Sequence, residues 1–221
     1  MTRNVEDIVI GILGGTGDQG KGLARRFAMA GHRVIIGSRS VERAAAAAAE
    51  IAGDELDVQG MTNQDTARDA QIVIAAVPWE GHGELLSSLA DELAGKIVID
   101  CVNPLGFDAR GAYALPVAEG SAAQQAANLL PTSMVVAAFH HVSAKLLLDP
   151  DVETIDLDVL VLGDDREATD LVQALASRIA GMRGVYAGRL RNAGQIEALT
   201  ANLVSVNRRY KAHAGLRITD I

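Results

Sequence analysis

Ile8-Val9-Ile10-Gly11-Ile12-Leu13 runs into Gly14-Gly15-Thr16-Gly17-Asp18-Gln19-Gly20 and then into Lys21-Gly22-Leu23-Ala24. The first six residues, aliphatic except for Gly11, predict a strand that is apolar on both faces, as a central strand of a parallel sheet must be. The turn after it spells G-x-G-x-x-G at Gly15, Gly17 and Gly20. Gly15 is expected to allow the tight bend, Gly17 to let backbone approach a pyrophosphate, and Gly20 to let the helix pack close to the strand. The helix that follows, from about 18 to 30, would present free N–H groups and a positive dipole end to an anion. A strand, a glycine turn and a helix in that order point to a dinucleotide.

The next strand, His32-Arg33-Val34-Ile35-Ile36-Gly37, bears on which dinucleotide that is, with Gly31 as the helix stop before it. Chains that bind NAD usually end this strand in a carboxylate that bonds the ribose hydroxyls. Here it ends in Ser38, Arg39, Ser40, Val41, Glu42 and Arg43. A hydroxyl and two guanidinium groups, one helical turn apart, suit a 2′-phosphate, and charge-assisted bonds to phosphate are about twice as strong as neutral ones. NADP is therefore the expected nucleotide, with Glu42 turned to solvent.

Strands and helices alternate through the rest of the first half. Ser40 reads as the N-cap of a helix holding the six alanines 44–49. Residues 58–61, 71–77, 96–100 and 133–139 read as strands, and 80–93 and 121–130 as helices. The chain changes character near Lys145; beyond it come a strand at 157–163, a helix at 166–180, a short strand at 182–187 and a long helix at 193–212. This predicts an α/β, Rossmann-type doubly wound parallel sheet, divided into an NADP-binding domain over 1–145 and a small C-terminal domain over 146–221.

Composition limits the remaining options. The 221 residues are 49% hydrophobic but only 3% aromatic, so small aliphatic side chains must pack the core. The lone Cys101 excludes internal disulfides and reads as a small buried apolar residue in a reducing setting. The opening Met1 to Asp7 carries no signal-peptide pattern, and no apolar run is long enough to span a membrane, so a cytoplasmic protein is expected. The net charge of −8 argues against nucleic acid as a partner. The charge is uneven, because from Arg178 onward eight basic residues stand against only Glu197 and Asp220. A solvated face, a subunit contact or an anionic ligand would each account for that.

Ligands in such sheets bind at the carboxyl ends of strands. One strand ends at Val77-Pro78-Trp79-Glu80, where Pro78 cannot extend the ladder and a nicotinamide ribose would lie. Another ends at Asp100-Cys101-Val102-Asn103-Pro104, where Asn103 either bonds a ribose or carboxamide or caps a turn. His140 and His141 follow the strand at 133–139, but adjacent residues of an extended segment cannot both face one pocket. They form no metal signature, since no further ligand stands at the right spacing. His82 and His213 read as isolated, and Lys145 has no supporting constellation. No acid–base machinery emerges, which suits hydride passing directly between two organic cofactors.

The stretches 14–22, Ile36-Gly37-Ser38-Arg39, Val77-Pro78-Trp79-Glu80, Leu162-Gly163-Asp164-Asp165 and Gly215-Leu216 together resemble the coenzyme F-420-dependent NADP reductases, over essentially the whole chain. The resemblance implies reversible hydride exchange between reduced F-420, an 8-hydroxy-5-deazaflavin, and NADP. It implies that Thr16 to Gln19 hold the pyrophosphate and that Ser38, Arg39 and Arg43 hold the 2′-phosphate. Val77 and Pro78 would flank the nicotinamide, while His140 to Ala144, with Val142 among them, and Leu216 would line the deazaflavin pocket. His141 and Ser143 depart from the threonine and proline of relatives. A homodimer built partly from the C-terminal segment is also implied, with no residue acting as acid or base. The anionic deazaflavin tail suggests a task for Arg189, Arg191, Arg208 or Arg209. Other readings are a different NADPH-dependent reductase, of imine, pyrroline or ferric type, or a non-enzymatic NADPH sensor. The first would normally bring a larger helical substrate domain or membrane spans.

Overall fold

The computed structural model describes residues 5–53 and 55–221; the opening Met1 to Asn4 lie outside them. In chain order the first half forms β1 (Ile10–Leu13), α1 (Asp18–Met29), β2 (Val34–Ser38), α2 (Val41–Ala52), β3 (Val58–Thr62), α3 (Asn63–Asp69), β4 (Ile72–Ala75), α4 (Trp79–Ser88), α5 (Ala90–Leu93) and β5 (Ile97–Asp100). There follow β6 (Leu105–Asp108), β7 (Gly111–Ala114), α6 (Ala122–Leu129), β8 (Met134–Ala137), α7 (Ala144–Leu148), β9 (Leu157–Gly163), α8 (Arg166–Ala176), β10 (Met182–Gly188) and α9 (Ala193–Tyr210).

Eight strands make one sheet in the order β10-β9-β8-β5-β4-β1-β2-β3. All neighbours pair in parallel except β8 and β9, which run antiparallel. The portion β3-β2-β1-β4-β5-β8 is the doubly wound order, and the direction of winding reverses between β1 and β4. Residues 146–221 add β9 and β10 to the same sheet, so the expected all-parallel arrangement ends at β8.

Burial follows from the strand sequences. Ile10 and Ile12 of β1 enter one apolar cluster with Leu23 and Phe27 of α1, while Leu13 enters the other with Ala67 of α3 and Leu86 of α4. A strand covered on both faces needs apolar residues at every position, and the central β1 and β4 supply them. Fully burying a leucine or phenylalanine contributes about 1.5–3 kcal/mol, so these two clusters anchor the sheet. Among the described residues no helix is long and apolar enough to cross a membrane.

Several expected elements are refined. The helix expected over 80–93 is broken at Leu89 into α4 and α5. The strand expected to reach Val77 stops at Ala75, and Pro78 instead caps α4, where its missing N–H costs nothing. Three elements were not expected at all. Helix α3 opens on a capping box in which the Asp65 N–H donates to Thr62 Oγ1 at 3.1 Å and that hydroxyl donates to Asp65 Oδ2 at 2.7 Å. The hairpin β6–β7 turns on Asp108, whose carboxylate accepts from the N–H groups of Arg110 and Gly111. Helix α7 packs on α1, and the buried Arg26 guanidinium of α1 donates to the carbonyls of Leu146, Leu147, Asp149 and Val152. That single side chain closes the end of α7 and fixes the chain just where its character changes.

The C-terminal segment is fastened by Asp158, which is fully buried on β9. Its carboxylate accepts from Arg183, Arg217 and the Ile218 N–H, and its own N–H donates to the Leu216 carbonyl at 2.8 Å.

Candidate active site

The glycine turn is built by close contacts. Gly14, with φ of 64°, is the left-handed residue that makes the bend assigned to Gly15. Gly15 is needed for proximity instead, since a Cβ there would lie 2.8 Å from the Ile12 carbonyl oxygen. A Cβ on Gly20 would stand 2.6 Å from the Gly15 Cα, so the first turn of α1 can approach only as glycine. Around Gly17 nothing lies within 4 Å of such a Cβ. The Gly14 N–H donates to Asn63 Oδ1 at 3.1 Å and the Gly15 N–H to the Gly37 carbonyl at 3.0 Å, which ties the turn to α3 and β2.

A cleft of about 300 Å³ opens over this turn at the carboxyl ends of β1, β4 and β5. Gly17, Asp18, Gln19 and Gly20 form one side; Ala76, Val77 and Pro78 form another; Cys101, Val102, Asn103 and His140 close it. Helix α1 begins at the cleft with Gly17 as N-cap and no side chain covering its first N–H groups. Free donors and a dipole end make that edge an anion site.

The far wall is held by hydrogen bonds. Asn103 Nδ2 donates to the His140 carbonyl at 2.8 Å, and Thr200 of α9 donates to the same carbonyl at 3.3 Å and to Asn103 Oδ1 at 3.4 Å. Gln19 Nε2 donates to the Phe139 carbonyl at 3.3 Å, bridging the glycine side to this wall. Phe139 has φ of 65°, a left-handed conformation that costs a bulky residue about 1–3 kcal/mol.

His140 is 3% exposed, with its ring against the backbone of Cys101 and Val102. Burial pushes its pKa down to about 4, so it is neutral at pH 7. His141 points elsewhere, its Nε2 accepting from the Leu160 N–H at 3.4 Å, and burial with the neighbouring His140 lowers it to about 4 as well. The pair diverges, but residues 140–141 form a turn where an extended segment was expected. Cys101 is buried with its thiol pKa raised by burial, which fits a packing residue. Among the described residues no group of three or more metal-ligating side chains is assembled.

The remaining expected residues do not line the cleft. Ser38 is buried at the end of β2 and accepts from the Ser40 N–H at 3.4 Å, while Arg39 and Arg43 are exposed just beyond. Ser40 caps α2 by accepting from the Arg43 N–H. Thr16 is half-buried in the turn. Val142 is only 5% exposed and packs in the core, Ala144 begins α7, and Leu216 packs beside the second apolar cluster. Lys145 is exposed. Two histidines read as isolated have partners: His82 lies 2.6 Å from Asp100, and His213 lies 3.5 Å from Ser143 Oγ. Asn63, Thr200 and Asp100 were not expected to shape the site; the capping box at Thr62 is the one local signal that could have located Asn63.

A family model described as "NADP oxidoreductase coenzyme F420-dependent" matches residues 9–104, which carry the glycine turn and the ends of β2, β4 and β5. The F420-dependent NADP reductase of Methanothermobacter thermautotrophicus is 42% identical over 96% of this chain and 95% of its own length. The chain belongs to the F420-dependent NADP oxidoreductase family. Another family member, the F420-dependent NADP reductase of Methanocaldococcus jannaschii, is 39% identical over 96% of this chain and 98% of its own. A solved structure from Arthrobacter assigned as an F420-dependent NADP reductase superposes with a TM-score of 0.83 at 26% identity, covering 96% of this chain and all of that one. The fold of the family is thus this chain's fold from β1 to α9.

Proposed function

We infer that the protein exchanges hydride between coenzyme F-420 and NADP. The observation that carries this is full-length similarity to reductases of that specificity, joined to a cleft that offers an open helix N-terminus on one side and a buried, neutral imidazole on the other. The residues present fit both groups. The α1 N-terminus, with Thr16 to Gln19, would hold a pyrophosphate; Ser38, Arg39 and Arg43 would hold a 2′-phosphate; Val77 and Pro78 would flank the nicotinamide. Asn103, next to Val102, would bond the ribose or carboxamide, and His140, Val142, Ala144 and Leu216 would form the deazaflavin side. When bound, the two rings supply the redox chemistry. The chain orients them, and its apolar walls at Val77, Pro78 and Val102 exclude water. His140 stays uncharged at neutral pH and so brings no cation to the rings.

The division of labour between 1–145 for NADP and 146–221 for the deazaflavin and a dimer contact belongs to the same reading, as do the homodimer itself and a cytoplasmic setting. Phe107 and Tyr113 of the hairpin and Val204 and Tyr210 of α9 are exposed, and they supply apolar surface for such a dimer. Mixing the protein with NADPH and oxidised F-420 and following the deazaflavin absorbance tests the function. Loss of the band in step with NADPH oxidation supports it; tight NADPH binding without turnover favours a sensor.

The basic residues divide unequally. Arg189 is engaged by the Asp164 carbonyl at 3.0 Å. Arg208 and Arg209 line a groove of about 510 Å³ between the hairpin and α9. Thr200 and Arg208 are eight residues apart on α9, about 12 Å at 1.5 Å per residue, so the groove lies within reach of a tail leaving the cleft. Replacing Arg208 and Arg209 by alanine should raise the KM for F-420 by about fivefold at low salt and by much less at high salt, because exposed charges are screened. A salt-independent KM equal to the native one would remove these residues from the tail site.

A further inference from the structure

Beneath the 101–103 wall of the cleft, His82 of α4 and Asp100 at the end of β5 are both wholly buried, with Nε2 and Oδ2 2.6 Å apart. The other ring nitrogen, Nδ1, lies 3.0 Å from Gln125 Oε1. The orientation of that amide is set from its far side, where Gln125 Nε2 donates to Glu119 Oε1 at 3.3 Å. A carboxylate and an amide oxygen can only accept, so both nitrogens of His82 must carry protons. With a carboxylate at Asp100, this hydrogen-bond pattern makes His82 an imidazolium. Burial works against that charge, but the bond and charge of Asp100, helped by Gln125 and Glu197, outweigh it and raise the pKa above its ordinary value.

The second oxygen of Asp100 reaches toward the cleft. Oδ1 accepts from the Val102 N–H at 3.0 Å, and Asn103, the next residue, donates to the His140 carbonyl at 2.8 Å. A series of bonds thus runs from α4 through the end of β5 to the wall. We propose that His82 and Asp100 are positioning residues of the hydride-transfer site, a buried imidazolium–carboxylate pair that holds the Val102–Asn103 wall in register and touches neither ring.

The groups facing the pair come from every neighbouring element. Trp79 of α4 packs its ring 5.6 Å from that of His82. Gln125 of α6 and Glu119 before it complete one side. Glu197 of α9 accepts from the N–H groups of Ala122 and Ala123 at 2.8 and 3.1 Å, and burial raises its pKa to about 7. His140 stands near Asp100 and is neutral. Asp100 is therefore the carboxyl group in direct contact with His82, while Glu197 is engaged by the start of α6.

The proposal rests on the reading of the cleft as a hydride-transfer site, so its test has one arm free of either substrate. In the whole chain labelled with ¹⁵N-histidine, at a pH about one unit above the ordinary histidine pKa, one of the five histidines should still show both ring nitrogens protonated. That signal should vanish in His82→Gln and become a single-proton tautomer in Asp100→Asn, where the amide donates to Nε2 in place of accepting. A neutral His82 in the native chain at that pH overturns the pair.

The second arm is kinetic. Asp100→Asn keeps an acceptor for the Val102 N–H, whereas Asp100→Ala does not. The alanine variant should lose about tenfold or more in kcat/KM and bind NADPH more weakly by fluorescence titration, while the asparagine variant stays within about threefold of native. An alanine variant of native kcat/KM and NADPH affinity, or an asparagine variant as impaired as the alanine one, overturns the positioning role. Should the alanine variant fail to fold, comparison of Asp100→Asn with the native chain decides by the same threefold limit. NADPH affinity is read without F-420, so a failed deazaflavin assignment would leave this arm intact.

Discussion

Replacing Arg39 and Arg43 together by alanine should raise the KM for NADP by about 100-fold and leave that for NAD within about threefold, if each guanidinium gives a charge-assisted bond to the 2′-phosphate. Such bonds are worth about 1.5–3 kcal/mol each, and partial exposure places them at the lower end, near tenfold apiece. Both arginines stand free of ion pairs among the described residues, one at the first position past β2 and the other in the first turn of α2. No carboxylate occupies the end of β2 to bond a ribose diol, so the chain holds nothing that favours NAD in compensation. Neither side chain supports the core, which makes the variant safe to compare at equal stability. Steady-state kinetics with the two nucleotides checks the result; equal losses for both would contradict the phosphate assignment.

Substituting alanine at Gly17 and at Gly20 should separate two effects that a glycine motif usually confounds. At Gly20 the new Cβ meets the Gly15 Cα at 2.6 Å, a backbone contact that cannot rotate away. Overpacking of this kind costs about 1–3 kcal/mol and displaces the start of α1, so the melting temperature and NADP affinity should fall together. At Gly17 the new methyl meets no protein atom within 4 Å. Stability should therefore hold, while a methyl in the cleft beside the helix N-terminus keeps the pyrophosphate from its donors and weakens NADP binding by about 100-fold. Thermal unfolding and nucleotide titration of the two variants provide the check. A Gly17→Ala variant with native NADP affinity would show that the pyrophosphate lies elsewhere.

The parts of the fold legible in the sequence are those where one physical requirement acts locally. A strand buried on both faces must be apolar throughout, a glycine turn must spare its Cβ atoms, and a helix entered at Ser40 needs its cap; β1, α1, β2 and α2 follow from these. The hairpin β6–β7 was missed because its strands are four residues each and its aromatics, Phe107 and Tyr113, face outward. Helix α7 is five residues long and owes its place to Arg26, more than a hundred residues earlier. The same limit applies to the site. The glycine side of the cleft is a contiguous segment, whereas the wall joins Asn103, His140 and Thr200, which only the closed sheet brings together. His82 looked isolated because its partners, Asp100 and Gln125, are 18 and 43 residues away.

Turnover with NADPH carrying deuterium at the transferred position of carbon 4, in ordinary water, tests whether hydride passes directly from ring to ring. The label should appear at carbon 5 of the reduced deazaflavin, one deuterium for each NADPH consumed. Deuterium lost to solvent, or no transfer to the deazaflavin at all, would contradict it.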